Sequence, residues 1–135
     1  MKPLEPNSEL IRVAEALSAD PALLLAVAFG SASKGGARPD SDIDIAVLSQ
    51  GPLTSERREQ TIRRIAEATG RPVDLVDLRS AGVAILRTVL TEGRTLLCRD
   101  QRARERLITT MLADVEDFLP LRQRLIKERR DRWIH

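Results

Sequence analysis

Residues Phe29 to Val47 read FGSASKGGARPDSDIDIAV, and this stretch decides how the rest of the chain is interpreted. It begins at the end of an unbroken apolar run, Leu23 to Phe29, which the length and composition mark as a buried strand. Gly30 to Asp40 follows with three glycines and one proline, a loop that opens with a Gly-Ser turn. From Asp42 to Leu48 the pattern alternates. Ile43, Ile45 and Val47 take one face, and Asp42, Asp44 and Ala46 take the other, as a period of two requires. The segment is therefore strand, loop, strand, and the two strands are expected to lie side by side.

Working outward, Leu10, Ile11, Val13, Ala14 and Leu17 recur at helical spacing, so residues 8–18 are expected to form a helix capped by Asn7 or Ser8. Asp20-Pro21 breaks it. Downstream, Gln50-Gly51-Pro52 forms a turn, and Thr54 caps a helix to about Thr69, with Gly70 at its C-terminus. Val73 to Leu78 is a third strand, Ala81 to Glu92 a helix closed by Gly93, and Thr95 to Cys98 a short strand. From Gln101 a long charged helix follows, which Pro120 should kink. The order β, β, α, β, α, β, α predicts an α/β (α+β) fold, a small mixed sheet packed with helices. The expected organisation is one domain over residues 1–135, with a catalytic core at about 8–100 and a helical segment at about 101–133.

Composition narrows the function. A chain of 135 residues suits a single compact domain. Its 42% apolar content builds one core, but aromatics are 2%, which disfavours a binder that stacks bases on rings. With 22 basic against 20 acidic residues the net charge is +2, too balanced for a general polyanion binder. One cysteine and one histidine cannot make a zinc cage or an internal disulfide. Cys98 is expected to be a small buried apolar residue. No secretory h-region and no membrane-length apolar run is present, so the expected location is the cytoplasm, without membrane contact.

The chemistry lies in the acidic strand and the loop before it. Asp42 and Asp44, two apart on one strand, project from the same face about 7 Å apart along it. Such a pair repels unless a cation lies between. Mg2+ suits oxygen ligands shared with substrate phosphates and water, and two ions would divide the work of activating the attacking oxygen and steadying a triphosphate. Asp44 is the candidate bridge between ions. Gly30 allows close backbone approach to phosphate, Ser31 adds a hydroxyl donor, and Lys34, assisted by Arg38, brings positive charge. In VDLVDL, Asp74 is the expected third carboxylate and general base, on the ground that an acid within an apolar strand needs a partner or a metal; Asp77 is the alternative.

Two competing motifs fail. An EF-hand loop starting at Asp40 requires Gly and Glu where Ile45 and Gly51 stand. A Walker A loop requires Gly-Lys-Ser/Thr where Gly35-Gly36-Ala37 stands. Further along, Arg122 to Trp133 is a basic helical face with an apolar edge at Leu121, Leu125 and Ile126, read as solvated or as a partner surface.

Gly30-Ser31, ten intervening residues and Asp42-x-Asp44 together resemble the signature of the polymerase-β-like nucleotidyltransferases. The run GSASKG is similar to the minimal nucleotidyltransferase (MNT) form, with Lys34 where Arg is common. The similarity extends through VDLVDL and GRTLLCRDQRARER, Gly93 to Arg106, and is strongest to the MntA-like adenylyltransferase antitoxins of HEPN/MNT toxin–antitoxin systems. That resemblance implies Mg2+-dependent transfer of AMP from ATP to a tyrosine of a cognate HEPN ribonuclease toxin. It implies metal carboxylates at Asp42, Asp44 and Asp74 and phosphate binding at Gly30 and Ser31. The rival readings are a toxin-neutralising module without catalysis, and a nucleotidyltransferase acting on a small molecule or an RNA end.

Overall fold

The computed structural model describes residues 8–30 and 41–113. The elements are α1 (Ser8–Ser18), β1 (Leu23–Phe29), β2 (Ile43–Ser49), α2 (Ser55–Thr69), β3 (Val73–Asp77), α3 (Val83–Glu92) and β4 (Arg94–Cys98). A further helix, α4, covers residues 101–113. The expected kink at Pro120 and the basic segment up to Trp133 lie outside the described residues.

The four strands form one sheet in the order β3-β2-β1-β4. β1 pairs antiparallel with both β2 and β4, and β2 pairs parallel with β3. The sheet is thus mixed, as expected. The β1–β2 pairing brings Phe29 opposite Asp44, and the β2–β3 pairing brings Asp74 opposite Asp44. α2 makes the crossover that a parallel pair needs, since a tight turn cannot join parallel neighbours.

Both faces of the sheet are covered. On one, Leu10, Val13 and Leu17 of α1 and Ile65 of α2 pack on Ala26, Ala28, Ile43, Ile45, Val47 and Leu75. On the other, Leu86, Val89 and Leu90 of α3 and Ala103 and Met111 of α4 pack on Leu25, Val27, Ala46 and Leu48. The central strands are therefore apolar on both sides along most of their length, which explains why Leu23 to Phe29 does not alternate. Apolar side chains this large stabilise by roughly 1.5–3 kcal/mol each when fully buried.

The helix termini follow local chemistry. Thr54 Oγ1 accepts from Arg57 N at 3.2 Å, and Gly70 closes α2 in the left-handed region at φ 70°. Arg99 ties the end of α1 to the start of β1, donating to the carbonyls of Ser18 (2.6 Å), Asp20 (2.5 Å) and Leu23 (3.1 Å). Besides one-residue shifts at the ends of β2 and β4, three expectations need correction. α3 begins at Val83 rather than Ala81, because Ser80 is held in a turn by its N–H to Asp77 O at 3.2 Å and Gly82 provides the extended cap. The third strand ends at Asp77, although Leu78 N still donates to Val47 O at 2.9 Å. Cys98 is exposed, not buried, because it ends the edge strand β4, and its thiol faces Gln101 Oε1 at 3.3 Å.

Candidate functional site

The site lies where β1 ends and β2 begins, on the face of the sheet that α3 covers further along. Alternation decides which side chains share that face. Asp44 has the parity of Ala46 and Leu48 in β2, and Asp74 has that of Val76 in β3, so both carboxylates project to the same side. As direct register partners on neighbouring strands they lie side by side, close enough for Asp74 to raise the pKa of Asp44. Asp42 is exposed at the mouth of β2, near enough to act electrostatically on Asp44.

Asp44 is half-buried, and its carboxyl pKa is raised above the ordinary aspartate value. The largest cause is desolvation, followed by the negative charge and hydrogen bond of Asp74 and then the charge of Asp42; Arg71 opposes them. Burial and two neighbouring carboxylates thus act together on Asp44, opposed by one guanidinium. Gly30 forms the wall beside Asp44, with φ +63°, and a Cβ added there would sit 2.4 Å from Asp44 Oδ2. The glycine is therefore required twice over, for its left-handed backbone and for the space against the carboxylate.

Asp74, the expected third carboxylate, lies beside Asp44 in the sheet, but not by burial. Asp74 is exposed on the edge strand β3, so burial does not argue for its role. Register does. Asp77, three residues on, has the opposite parity and is engaged in a turn, its Oδ1 accepting from Arg79 N at 3.0 Å. Asp77 is thus separated from Asp44, and Asp74 is brought to it. Ser31, Lys34 and Arg38 lie outside the described residues.

Among the described residues no three acidic, histidine or cysteine side chains close into a metal cage by themselves. The donor set nonetheless fits Mg2+, which is commonly held by one or two carboxylates with substrate phosphates and water completing the shell.

Sequence reasoning missed Arg71. Its side chain is 3% exposed and spends its donors on the segment leading into β2. Nε donates to Ser41 O at 2.9 Å, one terminal nitrogen to Ser41 Oγ at 2.9 Å and Asp42 O at 3.2 Å, and the other to Glu9 Oε1 at 2.6 Å. Between a helix cap and a proline it reads as one more surface arginine, and its partners are 30 and 62 residues away in sequence. No local pattern announces it.

A cleft of about 560 Å³ opens at the opposite end of the sheet, among Leu24, Leu48, Leu78, Leu86 and Leu107, with Arg79 and Arg106 at its rim. It contains none of the candidate residues.

Comparison with known proteins bears on the family and the fold. Residues 12–102 match the family model described as polymerase beta, nucleotidyltransferase. The chain is similar to protein adenylyltransferase MntA of Shewanella oneidensis, 43% identical over 76 residues, which is 56% of this chain and 55% of that protein. The matched segment thus spans about half the length of that curated relative. A chain in the crystal structure of a toxin–antitoxin with AMP-PNP superposes with TM-score 0.73 at 32% identity, over 88% of this chain and 96% of that one. A chain in the structure of the tri-AMPylated Shewanella oneidensis HEPN toxin in complex with MNT antitoxin does so with TM-score 0.68 at 30% identity, over 89% and 94%. The half-buried Asp44 between Gly30 and Asp74 is therefore set in the sheet of a known enzyme class: the chain belongs to the polymerase beta nucleotidyltransferase family.

Proposed function

We propose that this protein is an antitoxin-type protein adenylyltransferase that transfers AMP from ATP to a tyrosine hydroxyl of a cognate HEPN toxin. The observation that carries the proposal is the corner formed by Gly30, Asp44 and Asp74, on a sheet that matches chains of toxin–antitoxin structures, one with AMP-PNP and one with an AMPylated toxin. The whole chain is read as one nucleotidyltransferase domain, with the core at about 8–100 and the helical segment at about 101–133. ATP as substrate and the lack of a disulfide pair suit the cytoplasm. Among the described residues, no helix is long and apolar enough to cross a membrane.

In this reading the phenolic oxygen of the toxin tyrosine attacks the α-phosphorus of ATP. The new bond is tyrosine O to Pα, the bond from Pα to the bridging oxygen breaks, and pyrophosphate carries off that electron pair. The phenolic proton passes to Asp74 as general base. Gly30 lets the backbone approach the β- and γ-phosphates closely, and Ser31 and Lys34 are assigned to the same phosphates. Asp42, Asp44 and Asp74 would hold Mg2+, which when bound neutralises the charge that develops on the phosphates.

The test is the intact mass of a HEPN partner after incubation with this protein, labelled ATP and Mg2+. Mass gains in AMP-sized steps, lost with Asp44→Asn or on removal of metal, are expected. A partner that forms a tight complex but stays unmodified would overturn the catalytic reading in favour of neutralisation by binding. Transfer to a small molecule or an RNA end with the partner untouched would overturn the choice of acceptor.

A further inference from the structure

We propose that Arg71 is a positioning residue for the acidic site: its buried guanidinium clamps the Ser41-Asp42 backbone and so fixes where Asp42 and Asp44 present their carboxylates. The inference rests on the nucleotidyl-transfer reading above and extends it to a residue that never touches the nucleotide.

Arg71 lies at the end of the sheet where the site is built, next to Gly70, which closes α2, and two residues before β3. Its planar fork makes four separate contacts: Ser41 O, Ser41 Oγ, Asp42 O and Glu9 Oε1. Three of the four go to the two residues that lead into β2. The fourth secures the fork to the first turn of α1, so that the clamp is braced against a packed helix rather than against solvent. The next contact along the chain continues the arrangement, since Ile43 N donates to Pro72 O at 2.9 Å. The residues Arg71-Pro72 therefore seize Ser41, Asp42 and Ile43 in succession, immediately before Asp44.

The physical need is clear. Asp42 stands at the boundary where β2 begins, and the ladder hydrogen bonds of the strand have not yet fixed its backbone. Three mutually repelling carboxylates tend to push that boundary apart. A buried cation set on the backbone carbonyls holds the segment in place and partly offsets the repulsion, without occupying the carboxylate oxygens that the metal and nucleotide require. A guanidinium suits the task and an ammonium does not, because only the former offers donors diverging from one rigid plane. Groups of this kind, behind the ligands, commonly alter metal affinity or activity by about 10–100-fold when removed.

The experiment compares Arg71→Met, Arg71→Lys and Arg99→Met in AMP transfer to the partner, titrated with Mg2+ well below each variant's unfolding midpoint and normalised to folded protein. Arg99 is the structural control, since it also clamps three backbone carbonyls but at the far end of β1. The expected result is that Arg71→Met raises the Mg2+ concentration for half-maximal activity by about ten-fold or more. Arg71→Lys should move in the same direction, while Arg99→Met loses stability at wild-type metal dependence. If Arg71→Met does not fold, Arg71→Lys carries the test. Wild-type metal dependence in the folded Arg71 variants overturns the proposal. Full metal-dependent transfer by Asp44→Asn would overturn the nucleotidyl-transfer site itself, so the two failures are distinguishable.

Discussion

Replacing Gly30 by alanine adds a single methyl group where the end of β1 meets the Asp44 carboxylate. That methyl carbon would lie 2.4 Å from Asp44 Oδ2, 3.3 Å from its Cγ and 3.6 Å from its Cβ. The carboxylate must swing aside by about 1 Å to restore ordinary contact, because carbon and oxygen do not approach much below van der Waals distance. In addition, φ is +63° at this residue, a region that costs an L-residue about 1–2 kcal/mol. The expected loss of stability is therefore about 1–3 kcal/mol, read from urea unfolding. The expected loss of activity is larger in proportion, on the order of 100-fold in kcat, since a displacement of about 1 Å of a catalytic group can have that effect. Gly70→Ala separates the two causes. Gly70 has nearly the same φ, +70°, but nothing within 4 Å of its added Cβ. That variant should share the backbone cost and keep wild-type turnover per folded molecule. Equal turnover in the two variants would refute the reasoning, because it would mean that contact with Asp44 is irrelevant.

Three further outcomes follow from the same geometry. Asp74→Ala should reduce AMP transfer by about 100-fold or more, as loss of a general base does, while Asp77→Ala removes a turn contact and leaves turnover unchanged; equal effects would contradict the register argument. Asp44 holds its proton more firmly when folded than when unfolded, so its contribution to the metal-free protein is most favourable below the ordinary aspartate pKa of about 3.9 and declines as pH rises through the raised folded value. Asp44→Asn should therefore make the metal-free protein more stable at neutral pH and flatten that decline, measured by thermal unfolding across pH, while abolishing transfer. Gly93→Ala should be costly to folding, about 3 kcal/mol, because its Cβ would meet Val27 Cγ1 at 2.3 Å and the Val89 carbonyl oxygen at 2.5 Å; denaturant titration checks it, and near wild-type stability would show that α3 can slide on β1.

The sequence by itself determined most of the described elements and pointed to the family. Alternation in Asp42 to Leu48 revealed a strand and its two faces, and the spacing from Gly30 to Asp44 identified the family. Thr54 and Gly70 marked the ends of α2, because caps act on backbone groups within one turn and so leave a local trace. What the tertiary structure decided was everything that depends on register between distant segments. Asp74 and Asp77 look alike in VDLVDL, and burial, the sequence argument for Asp74, does not hold on an edge strand. Pairing of Asp44 with Asp74 separates them, since a shift of one residue reverses every side chain in a strand. Cys98 looked like core and is exposed for a similar reason, as its strand ends at the edge of the sheet. Arg71 is the clearest case. Its burial is created by Glu9, Ser41 and Asp42 arriving from two other parts of the chain, and a side chain whose every partner is non-local has no signature in the residues around it.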